Sequence, residues 1–253
     1  MGLLILIGFI FGIIQKASNK YLFSAFGYKG ILATSWIGTP VHELGHALMC
    51  LVFKHQITDI RLFSLHPTDQ RLGYVTHSYN KESIYQNIGN FFIGIAPILS
   101  GIGALLLSLY CLLPDSFKVL QTSLSSEINI QSLNTLFLEK LFHANLNLIG
   151  SIFTLRNLVN PYFWLFLIIA IGISSHMVLS AADLKGAAEG LITLFITLFF
   201  ITMIVNSIHL NLIKYFSVVT RYNIYIISLS SIALLFSLLT LAVSFTLFKI
   251  KTR

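Results

Sequence analysis

The chain has 253 residues, 56% of them hydrophobic and only 10% charged, with a mean hydropathy of +0.83 and a formal net charge of +7. This composition excludes an ordinary soluble domain, because apolar runs of about 18 or more residues indicate membrane spans. Lys and Arg are scattered over polar connections and a "KIKTR" tail with no basic stripe, which argues for topogenic charge and against a nucleic-acid partner, and Cys50 and Cys111 provide no disulfide framework.

Six hydrophobic segments follow in chain order. The first, 2–14, is short for a span and lacks a basic leader and a cleavage site, so it reads as a retained span or half-span. The second, 31–53, carries "VHELGHALMC". The connection at 54–81 is polar and rich in strand formers, and its text predicts two short strands around "HPTDQ". In the second strand, Leu72, Tyr74, Thr76 and Ser78 share one face and Gly73, Val75, His77 and Tyr79 the other. The third segment, 84–113, contains "GNFFIGIAPILSGIGAL", in which Gly89, Gly94, Gly101, Gly103 and Pro97 allow close helix approach or a local break. A long connection, 115–160, has balanced charge. The fourth segment, 161–182, ends at Asp183, with a turn at Lys185 and a break at Gly186; the fifth and sixth are 191–208 and 223–248.

The expected fold is therefore an all-α polytopic membrane protein of about six transmembrane helices, a single integral-membrane domain over 1–253, with a small membrane-associated β-hairpin after the second helix. With the basic tail in the cytoplasm, the 54–81 connection and the Lys185 turn also lie inside and 115–160 outside, with Lys16, Lys20 and Lys29 opposing that orientation. A bacterial cytoplasmic membrane is the expected location, and the oligomeric state is open.

His42 and His46 are four residues apart, which in a helix places both imidazoles on one face, as two ligands of one tetrahedral metal require. Glu43 sits between them as the general base for a metal-bound water. A chain of this composition would contain His-Glu-x-x-His about 0.004 times by chance. An ionisable Glu at membrane depth costs about 2.5 kcal/mol or more on insertion scales, so helix packing alone does not explain it. A zinc site needs a third protein ligand, and the candidates are Asp183, His176, Glu189 and Cys50, in that order. His176 is placed two helical turns before Asp183 on the same face and serves equally as a substrate-binding group. Asn90 is a possible hydrogen-bonding partner near the site. Cys50 reads as packing. His55, His66, His77, His143 and His209 receive no chemistry.

"HELGH" in a span, "GNFFIGIAPILSG" in the next and "SAADLKG" at the end of a later one resemble the site-2 protease family of intramembrane zinc metallopeptidases, over about 31–186. The resemblance implies a catalytic core at 31–186, an extra N-terminal span in 1–30 and two extra spans in 187–253. It implies zinc held by His42, His46 and Asp183, Glu43 as catalytic glutamate, and an active site toward the cytosol. It further implies a substrate that is a single-span membrane protein, held by β-augmentation at the 54–81 hairpin, where Tyr74 and Val75 lie. The chain departs from the family's pattern at the third ligand: Asp183 is followed by Leu184, not Gly, and Ser175 and His176 stand where an Asn is expected. A His-His-Glu metallopeptidase using Glu189, and a non-proteolytic metal-binding or transport protein, are the alternatives. If Asp183 completes a tetrahedral zinc site, its carboxylate oxygens should lie about 3–4 Å from the motif imidazole nitrogens.

Overall fold

The computed structural model describes residues 2–66, 71–127, 135–207 and 213–252. Except for His66, the turn expected in "HPTDQ" lies outside them, as does His209.

Helices α1 (Gly2–Phe26) and α2 (Tyr28–Val52) are joined at Gly27, whose φ of +62° only glycine adopts freely. The apolar segment at 2–14 is thus the first half of a helix that continues through Gln15, Asn19 and Lys20. At 25 residues each, α1 and α2 are about 37 Å long. Strands β1 (Gln56–Arg61) and β2 (Tyr74–Ser78) form the expected antiparallel hairpin, with an irregularity in register between Ile57 and Asp59. Helix α3 (Ile84–Leu112) is capped by the Ser83 hydroxyl, which accepts from the Gln86 amide, and runs unbroken through Pro97. The long connection is helical: α4 (Pro114–Glu127), α5 (Thr135–Ile152) and α6 (Leu155–Leu158). Helices α7 (Pro161–Ser174), α8 (Ala181–Ser207) and α9 (Ile213–Lys251) complete the chain.

The fourth expected segment needs correction. The helix at 161–182 stops at Ser174, and Asp183 does not end it but lies in the first turn of α8. The reason is a reciprocal cap. Ser180 Oγ accepts from the Asp183 amide at 3.1 Å, and Asp183 Oδ2 accepts from the Ser180 amide at 2.7 Å. "SAADLKG" therefore starts a helix, and neither a turn at Lys185 nor a break at Gly186 exists. His176 and Asp183 consequently do not share a helix face.

Residues 175–180, between α7 and α8, are irregular and mostly buried. The surrounding helices make room with glycines. A Cβ on Gly38 would stand 2.6 Å from His176, one on Gly101 2.5 Å from Met177, one on Gly12 3.0 Å from Val178 and one on Gly8 2.6 Å from Leu179. Irregular backbone at membrane depth is tolerated when protein encloses it in this way. The core joins α3 to α7 through Phe91, Ile95, Ile98, Phe163, Phe166 and Met177. Among the described residues, three helices are long and apolar enough to cross a membrane: Ile84–Leu112, Ala181–Val205 and Ile226–Lys251. The chain is thus a helical membrane protein with a small two-stranded sheet.

Candidate metal centre

Helix α2 presents His42 and His46 one turn apart, with ring centroids separated by 4.9 Å. His42 Nδ1 lies 2.8 Å from the His176 carbonyl oxygen, and His46 Nδ1 2.9 Å from that of Ile93. A carbonyl only accepts, so each Nδ1 carries a proton, and a ring in its neutral form then keeps a lone pair on Nε2. Those two lone pairs face each other at 3.2 Å. Two acceptors with no proton between them repel; a cation between them turns the repulsion into coordination.

Asp183 supplies the matching charge. Its Oδ1 is 3.3 Å from His46 Nε2 and its Oδ2 4.0 Å from His42 Nε2, the separations expected of ligands around one tetrahedral ion. One ligand atom from each of the three residues lies within 4.8 Å of the others. Each ligand is oriented by backbone, the two imidazoles by carbonyls and Asp183 Oδ2 by the Ser180 amide, the outer support that metal ligands require. The group can hold a metal ion, and its donor set of two imidazoles and a carboxylate suits zinc.

Close helix approach sets this geometry. A Cβ on Gly38 would stand 2.2 Å from the Gly172 carbonyl oxygen, one on Gly45 2.9 Å from that of Ala96, and one on Gly94 2.5 Å from that of Asp183 itself. These three glycines let α7, α3 and α8 close around the motif.

The other candidates fall outside the cluster. The His176 ring donates from Nδ1 to the Gly172 carbonyl (3.1 Å), and its Nε2 meets Ser35 Oγ (3.0 Å), so this residue serves the site through its backbone oxygen. Glu189 is exposed on α8, and Cys50 is a free, fully buried cysteine.

Glu43 is 7% exposed and lines the same cavity of about 720 Å³ as the three ligands. Asn90 of α3 and residues Leu72–His77 of the hairpin form part of its wall, Tyr74 and Val75 among them. Gly73 seats the hairpin on the motif: a Cβ there would lie 2.8 Å from Glu43 Cγ. Among the described residues the sheet has two strands, so one edge of β2 pairs with no described strand. Tyr74 Oη donates to Asp59 Oδ2 at 2.7 Å.

Sequence reasoning gave His55 and His77 no role, yet they pin the hairpin. His55 Nε2 donates to the Gln86 carbonyl at 2.9 Å, and the Nδ1 atoms of His55 and His77 meet at 3.0 Å. Tyr79 stacks on His55 with centroids 4.9 Å apart. The bare spacing of these residues carries no signal of this.

Fold and site thus define a class: a helical membrane protein with a partly buried His-His-Asp group able to hold a metal ion beside a buried glutamate. No protein-family model, characterised protein or solved structure matches the chain.

Proposed function

We propose that the protein is a multi-pass zinc metallopeptidase that hydrolyses a peptide bond in or near a membrane span of a substrate protein, as the resemblance to site-2 proteases implies. The observation that carries this reading is the pair of facing imidazole lone pairs closed by Asp183, with buried Glu43 in the same cavity. A metal held by His42, His46 and Asp183 would supply Lewis acidity to the scissile carbonyl and would acidify the attacking water. Glu43 takes the proton of the attacking water and returns it to the leaving amine. The free edge of β2 pairs with an extended substrate backbone, exposing a carbonyl that a helical substrate would hide. The bacterial cytoplasmic membrane, with the site toward the cytosol, belongs to the same proposal.

The test is Glu43→Gln in metal-loaded full-length protein, reconstituted with a panel of single-span membrane proteins cleaved by the wild type. Metal content is expected to stay at the wild-type level while cleavage falls by at least about 100-fold. Full cleavage by the variant refutes the mechanism.

A further inference from the structure

The resemblance treats the N-terminal helix as an addition to the catalytic core, but its packing makes it part of the site. Gly8, Gly12, Gln15 and Asn19 are spaced four, three and four residues apart, so they lie on one face of α1. The two glycines rest on Leu179 and Val178, in the segment whose His176 carbonyl orients His42. Further along the same face, Gln15 and Asn19 line the cavity that holds His42, Glu43, His46 and Asp183. Asn19 Oδ1 is buried with no hydrogen-bond partner. A buried acceptor of this kind is costly when left unsatisfied, and both carboxamides are half-buried at the cavity wall, where a ligand can reach them.

We infer that Gln15 and Asn19 form a substrate-binding wall of this cavity, hydrogen-bonding the main chain of a peptide that lies between them and the hairpin. This rests on the metallopeptidase reading. A carboxamide offers both a donor and an acceptor, which matches the N–H and C=O of a peptide and does not discriminate among its side chains. The hairpin residues Leu72–His77 and the two amides both border the cavity, so a peptide entering it meets backbone-pairing groups from two elements. A cavity of about 720 Å³ is within the usual range for a ligand of this kind. Gln15 and Asn19 are thus positioning residues for the substrate and take no part in the metal's coordination.

Two metal chelators separate the possibilities in detergent-solubilised, zinc-loaded full-length protein. Acetohydroxamate reaches only the metal, whereas a peptidyl hydroxamate adds a peptide backbone. In a Gln15→Leu/Asn19→Leu double variant, affinity for the peptidyl hydroxamate is expected to fall about tenfold or more. Acetohydroxamate affinity and zinc content should match the wild type, which also shows that the site has folded. Unchanged peptidyl hydroxamate affinity overturns the inference, and so does an equal loss for both chelators, which would mark a purely structural role. A wild-type protein that holds zinc yet binds neither chelator overturns the metallopeptidase reading and this assignment with it.

Discussion

Two histidine pairs lie beside the same cavity with almost the same nitrogen-to-nitrogen separation, 3.2 Å for His42 and His46 and 3.0 Å for His55 and His77. Their chemistry is opposite. Both rings of the first pair direct Nδ1–H to a backbone carbonyl, so in their neutral forms two lone pairs meet and a cation fits between them. In the second pair only His55 is committed to a carbonyl, so His77 Nδ1–H donates to His55 Nδ1 and the pair is satisfied without an ion. Distance alone does not define a metal site; where the remaining protons must go does.

The largest expected effects break the first pair and spare the second. Elemental analysis of purified His42→Ala or His46→Ala protein should find metal reduced to background, while His77→Ala keeps the wild-type content. Asp183→Ala should weaken metal binding by more than the roughly 10–100-fold carried by outer supporting groups, and Glu189→Ala should leave it unchanged. Metal retained by Asp183→Ala and lost by Glu189→Ala would favour the His-His-Glu alternative.

The next effect strikes the carbonyl that fixes the His42 tautomer. Gly38→Ala forces a methyl group toward the Gly172 carbonyl and the His176 side chain, and should cost about 1–3 kcal/mol of stability. It should weaken metal binding in parallel, because His176 O moves away from His42 Nδ1. Gly103→Ala is the control: a Cβ there meets nothing within 4 Å, and the helix gains up to about 1 kcal/mol. Thermal melting and metal titration of the two variants decide the matter, and equal behaviour would show that the close approach at Gly38 does not hold the site.

What could be read in the sequence follows the same division. The motif face of α2 was legible because His42, Glu43 and His46 lie within one helical turn, where spacing dictates geometry. The hairpin was legible from strand formers. Asp183 was legible as a polar residue at membrane depth, but its setting was misread. Apolar residues on either side of Ser175–Ser180 concealed the end of α7, and the Ser180-x-x-Asp183 cap that starts α8 was a readable signal that went unused. The roles of His55, His77, Gln15 and Asn19 were not legible, because each depends on contacts between distant elements. Losing part of that cap is a smaller perturbation than losing a ligand. Ser180→Ala removes the hydroxyl but keeps the amide that holds Asp183 Oδ2, so it should cost about 0.5–2 kcal/mol and lower metal affinity about tenfold or less. Isothermal titration with zinc measures this, and a loss as large as that of Asp183→Ala would mean the cap, not the carboxylate, governs binding.

The smallest effect sharpens the second pair. Burial pushes His55 and His77 below the ordinary histidine pKa of 6.5; for His77, the rings of His55 and His46 push further down while Asp183 acts in the opposite sense. Both rings are therefore neutral at pH 7 and above in the folded hairpin. Below pH 6.5 the unfolded hairpin binds more protons than the folded one, so stability falls as the pH falls through and below that value. Protonating His55 also sets N–H against N–H at His77, which breaks the link between the two rings and leaves only the His55 Nε2–H bond to the Gln86 carbonyl. Amide exchange corrected for its intrinsic pH dependence should show β1 and β2 protected at pH 7.5 and less protected at pH 5, while α3 changes little. A His55→Gln variant should lose that dependence; equal protection of the hairpin at both values in the wild type would mean that strand pairing, not the histidine pair, holds β2 against Glu43.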